Sequence, residues 1–75
     1  MKIYGYEKNA IDNERLLELE EITIQTNPEN LRKIAQFILK TAEILNDHGN
    51  DFGHEHFKDF MREYSWEGPD IIISK

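Results

Sequence analysis

The sequence predicts an α+β fold: a three-stranded β-sheet in ββααβ order, with one long and one short helix packed on one face, in a single domain over residues 1–75. Three observations predict it. Leu31, Ile34, Ala35, Ile38, Ala42 and Leu45 recur at three- and four-residue spacing, which is the period of an amphipathic helix. Two segments before this stretch and one after it are rich in β-branched, aromatic and leucine residues at strand-like lengths. An Asn-Pro pair precedes the long stretch and a glycine follows it, as helix boundaries do.

The elements follow in order. MKIYGYE sets Ile3 against Tyr4 and Tyr6 and reads as a first short strand. KNAIDNE, residues 8–14, is a polar turn. LLELEEITIQT, residues 16–26, is the second strand, but its phase shifts: Leu17 and Leu19 face one side, Ile22 and Ile24 the other, with Glu20 and Glu21 at the change. A bulge there would return both pairs to one face; without it both faces are partly covered. Asn27 caps a helix, Pro28 takes its first position and Glu29 complements its dipole. The helix runs from 28 to 47 and stops at Gly49, whose missing Cβ permits a left-handed backbone. GNDFG is a loop, and Phe57, Phe60, Met61 and Tyr64 line a second helix over 54–64. SWEGP breaks it. PDIIISK is the last strand, antiparallel to the second if the helices form a hairpin, parallel if the second helix is only a cap.

Totals bound the function. A chain of 75 residues buries only roughly 60% of its unfolded surface. The absence of cysteine excludes disulfides and thiolate-held metals and fits a reducing compartment. The start of the sequence lacks the apolar run of a signal peptide, and no apolar run exceeds three residues; a cytoplasmic protein is expected. Residues 1–42 carry seven acids and six bases, whereas residues 43–75 carry eight acids and three bases and most of the net −6 charge. Such a surface repels nucleic acid and anionic membranes and favours a basic partner.

Three segments hold the candidate sites. In DFGHEHF, residues 51–57, two histidines stand beside carboxylates. His48, Asp51, His54 and His56 are the alternative set of metal ligands. On a helix, however, positions two apart point to nearly opposite sides, so His54 and His56 would share an ion only if His54 is still in the loop. The segment then simply starts the second helix, with one histidine exposed and the other against the long helix. A catalytic histidine–carboxylate pair lacks its complement: Ser65 and Ser74 have no activating context, and there is no glycine-rich phosphate loop. No catalytic residue, enzyme activity or cofactor is assigned. In REYSWEGPD, Trp66 is either an apolar anchor for a partner or a closure of the core, with Asp59, Glu63, Glu67 and Asp70 as an acidic rim.

ELEEITIQTNPENLRKIAQFILKTAEIL, then DFGHEHFKDF, then GPDIIISK together resemble the small immunity proteins of bacterial polymorphic toxin systems, specifically immunity protein 32. The resemblance runs from the second strand to residue 75, and its distinctive piece is Gly-His-Glu-His at 53–56. It implies a non-enzymatic module that binds a cognate toxin and neutralises it by surface occlusion. The histidines and glutamate of the family's motif correspond to His54, Glu55 and His56.

The expected partner is a basic toxin domain, held by Asp51, His54, Glu55, His56, Asp59, Glu63, Trp66 and Glu67. The acids would attract, the histidines would supply pH-sensitive hydrogen bonds and Trp66 would anchor. A standard interface takes roughly 800 Å² per partner, against roughly 4,800 Å² for a compact domain of this mass. The chain itself is expected to be a monomer or weak homodimer; the alternative readings are a small His/Asp metal-binding domain and a homodimeric structural protein that pairs through an exposed sheet edge or the uncovered sheet face.

Overall fold

A computed structural model describes residues 1–8 and 16–75. Its elements are β1 (Ile3–Gly5), β2 (Leu17–Leu19), α1 (Pro28–His48), β3 (His54–His56), α2 (Phe57–Phe60) and β4 (Ile72–Ser74). The α+β class holds, but the three-stranded sheet does not: among the described residues the strands form two antiparallel pairs, β1–β2 and β3–β4. The turn expected over 8–14 lies outside the described residues, apart from Lys8.

In the first pair, Ile3 stands opposite Leu19 and Gly5 opposite Leu17. The second strand is much shorter than the expected 16–26. It ends at Leu19, the chain bends at Glu20, and residues 21–27 pair with no strand. The break falls at the two adjacent glutamates, where the apolar alternation changes phase. No bulge carries the strand across them, and Ile22 and Ile24 are about half exposed.

Helix α1 starts and stops where its boundary residues require. The Asn27 side-chain oxygen accepts a hydrogen bond from the Asn30 N–H at 2.8 Å, and the Asn27 carbonyl accepts one from the Leu31 N–H at 3.0 Å. Pro28 occupies the first turn, where a missing N–H leaves no bond unmade. At the other end Gly49 adopts φ 53° and its N–H donates to the Leu45 carbonyl. An Asn27→Ala variant is expected to lose about 1 kcal/mol of stability, read as a lower urea midpoint at unchanged slope.

The chain then makes a 3-10 turn over Gly49–Asp51 and buries Phe52. The expected helix over 54–64 is corrected here. Residues 54–56 form β3, and only four residues of α2 and a 3-10 turn at Arg62–Tyr64 remain helical. The reason is the isoleucine-rich segment at the end of the sequence. His54 pairs with Ser74 and His56 with Ile72, and the Phe57 N–H donates to the Ile71 carbonyl at 2.8 Å. Cross-strand partners thus claim the histidines before helical bonding begins. The last strand is antiparallel, as one of the two expected arrangements had it, but its neighbour is β3 and not β2.

The core lies between α1 and the β3–α2–β4 unit. Ile34 and Phe37 of α1 meet Phe57 and Met61, flanked by Phe60, Trp66, Ile71 and Ile73. Phe37 packs edge-on against Phe57 and Phe60, with ring centres 5.4 and 5.7 Å apart, a favoured aromatic geometry. The apolar stripe read from α1 therefore divides. Ile34, Phe37 and Thr41 are buried, while Leu31 and Ile38 stay about half exposed and Leu39 more so. The β1–β2 hairpin stands outside the core; no described residue of either strand is buried. No helix of the described residues is long and apolar enough to cross a membrane.

Candidate functional site

The corner from β3 into α2 is tied to the start of β4 by one carboxylate. His56 Nδ1 lies 2.6 Å from one oxygen of Asp70. The other oxygen accepts the backbone N–H groups of Lys58 and Ile71, each at 2.9 Å. The hydrogen bond that His56 donates to Asp70, outweighing partial desolvation, raises the His56 pKa above its ordinary 6.5. Burial works against ionisation of Asp70, yet the bonds from His56, Lys58 and Ile71 hold its carboxyl below the ordinary 3.8. Asp70 was expected on an exposed acidic rim. Instead it is partly buried, and all the donors it accepts come from its own chain.

Strand geometry also changes the histidine pair. Residues two apart on a strand face the same way, and the His54 and His56 rings stand 5.0 Å apart, edge to face. The expectation that they point to opposite sides of a helix is therefore corrected. Even so, among the described residues no three His, Asp or Glu side chains converge as a metal site. The alternative set His48, Asp51, His54 and His56 is not assembled, because Asp70 occupies the His56 ring nitrogen and His48 ends α1 before the 3-10 turn.

Beside this corner is a shallow hollow of about 200 Å³, whose lining includes Glu55, His56, Asp59, Lys40 and Phe60. It is smaller than the roughly 300–1,000 Å³ of small-molecule sites. Glu55, His56 and Asp59 are thus brought to one place. Asp51, His54, Glu63 and Glu67 are exposed along the same stretch of chain. Among the described residues the ion pairs are His56–Asp70 and a long, exposed Asp59–Arg62 contact at 3.9 Å. Asp51, Glu55, Glu63 and Glu67 make none.

Trp66 is half-buried. Its ring meets Phe57 edge-on at 5.3 Å and its indole N–H donates to the Pro69 carbonyl at 2.9 Å. A Cβ at residue 68 would overlap the indole, so glycine there lets the ring close down. The core-closing role weighed for Trp66 is the one its contacts fill.

The chain matches no family model, no curated protein and no solved structure.

The inward-facing role of Asp70 was missed at the sequence level. The available signal was an aspartate after Gly68-Pro69, opening an isoleucine-rich strand; an Asp at such a turn can accept backbone N–H groups.

Proposed function

We propose that this chain is a non-enzymatic, immunity-type binding module of bacterial origin that acts in the cytoplasm and neutralises a basic protein partner by covering it. One observation carries the reading. Among the described residues the carboxylates around the Glu55–His56–Asp59 hollow make a single ion pair with a lysine or arginine of the chain, the exposed Asp59–Arg62 contact at 3.9 Å, and Lys40 lines the hollow without pairing. An exposed pair of that kind holds its aspartate weakly. Fixed negative charge on a braced corner steers a positive partner and raises its association rate more than its final affinity. The Asp70 bonds supply the bracing, so the surface is ordered before it binds. The hollow is too small for a typical small-molecule site and suits a side chain of a protein partner. The resemblance at Gly53–His56 to immunity protein 32 supports the same class.

Binding of the purified product of the adjacent open reading frame tests this. A Glu55→Lys/Asp59→Lys variant is expected to weaken binding at least about tenfold, chiefly through slower association. Glu29→Lys, in the first turn of α1, is the control and is expected to change it little. Absence of binding, or equal binding by both variants, would overturn the proposal.

A further inference from the structure

The chain exposes more surface than a closed domain of its mass. Its accessible area is 6833 Å², about 2,000 Å² above the scaling value for a compact monomer. Counting residues 9–15 at the full area of an extended chain, about 1,200 Å², still leaves an excess on the order of 1,000 Å². The radius of gyration agrees: it is 13.5 Å, against about 11 Å for a compact chain of this length.

Part of the uncovered apolar surface lies on one line of α1, and much of the rest lies before the helix, at Tyr4, Tyr6, Leu16, Leu17, Ile22 and Ile24. Leu31, Ala35, Ile38, Ala42 and Leu45 alternate steps of four and three residues, the spacing of a seam between two helices. Leu31, Ala35, Ile38 and Ala42 are exposed and Leu45 is half-buried. The seam is centred about a quarter-turn around the helix from Ile34, Phe37 and Thr41, which face the chain's own core. Leu39 widens it at 69% exposure. A contiguous apolar stripe of this kind marks an interface.

We propose that the seam is covered by the same seam of a second copy, giving a two-fold dimer with antiparallel α1 helices. Two observations select a copy of this chain. Residues 1–42, which contain most of α1, carry seven acids and six bases, so self-association there meets little of the repulsion that the acidic remainder would impose. Antiparallel pairing also sets Arg32 near one helix end beside Glu43 near the other, and neither makes an ion pair within its own chain among the described residues. Alanines at 35 and 42 let the backbones approach to about 8 Å. Ile38 is the midpoint of Pro28–His48, so it meets its own counterpart across the axis. The dimer leaves the surface around Glu55 and Asp59 available and does not depend on the function proposed for it.

Sedimentation equilibrium of the full chain at about 100 µM tests the dimer, together with single-cysteine variants in this cysteine-free sequence. The expected mass is twice 8.9 kDa, falling to a single chain in Ile38→Glu with helical circular dichroism retained. Oxidised Ile38→Cys is expected to cross-link to a dimer, while Gln36→Cys, on another side of the helix, is not. The cysteine pair reads the seam even if Ile38→Glu fails to fold. A wild-type monomer throughout would overturn the proposal, whether the seam is covered by the β1–β2 hairpin, by another protein or by nothing. So would a dimer that cross-links through residue 36 and not through residue 38.

Discussion

Phe57→Ala is expected to unfold a large fraction of the molecules at 37 °C. Phe57 has no exposed surface. Its ring meets Phe37 and Trp66 edge-on and lies nearly parallel to Phe60, 6.1 Å away. Truncation removes the centre of this aromatic group and leaves a void under α1. Such a change costs about 3–5 kcal/mol in a packed core. A domain of this length has about 4–11 kcal/mol in total. Urea unfolding and a thermal melt read the loss directly. Arg62→Ala is the comparison: its side chain is 79% exposed, and its change is expected within about 0.5 kcal/mol. A loss below about 1 kcal/mol for Phe57→Ala would mean that the core is not centred on this ring.

Asp70→Ala is expected to cost about 2 kcal/mol, because one truncation leaves three donors without their acceptor; partial solvation keeps the figure low. Its more distinctive effect is on pH dependence. The His56 pKa is raised in the folded chain, so its contribution is complete below the ordinary 6.5 and is lost as pH rises through the raised value. The Asp70 pKa is lowered, so its contribution is complete above the ordinary 3.8 and is lost as pH falls through the lowered value. Both are complete between pH 3.8 and pH 6.5. The difference in melting temperature between wild type and Asp70→Ala should therefore be largest in that window and shrink on both sides. A difference that stays constant from pH 3 to pH 9 would separate the pair from the pH response. His56→Gln should remove the alkaline part of the change and keep the backbone bonds to Asp70.

Long helix α1 was legible in the sequence because its signals are local. Asn27-Pro28 and Gly49 bracket an uninterrupted 3.6-residue pattern, and the observed Pro28–His48 follows. The second helix was not, because Phe57, Phe60, Met61 and Tyr64 keep helical spacing while the backbone before them is claimed by a strand distant in sequence. Nothing within His54–His56 announces Ile72–Ser74 as its partner. Pairing of three-residue strands is decided by tertiary context more than by propensity. The apolar pattern of α1 gave its length but not its division into a buried and an exposed face. Leu31 and Ile34 look equivalent in the sequence, and only the position of Phe57 and Met61 separates them. Of the eight residues grouped from the sequence, Glu55, His56 and Asp59 line one hollow. The sequence placed Asp70 outside, since the hydrogen bond that turns it inward spans fourteen residues.

The antiparallel β3–β4 pair has a consequence for biosynthesis. A ribosome-bound chain that has emerged only as far as Pro69 holds α1 and the Phe57 ring but lacks Asp70, Ile71 and Ile73, which close over that ring and fix its backbone. Chains are made at about 5–20 residues per second, so a greasy nascent intermediate persists until the isoleucines clear the exit tunnel. A chaperone that shields emerging apolar segments would meet this chain in that interval.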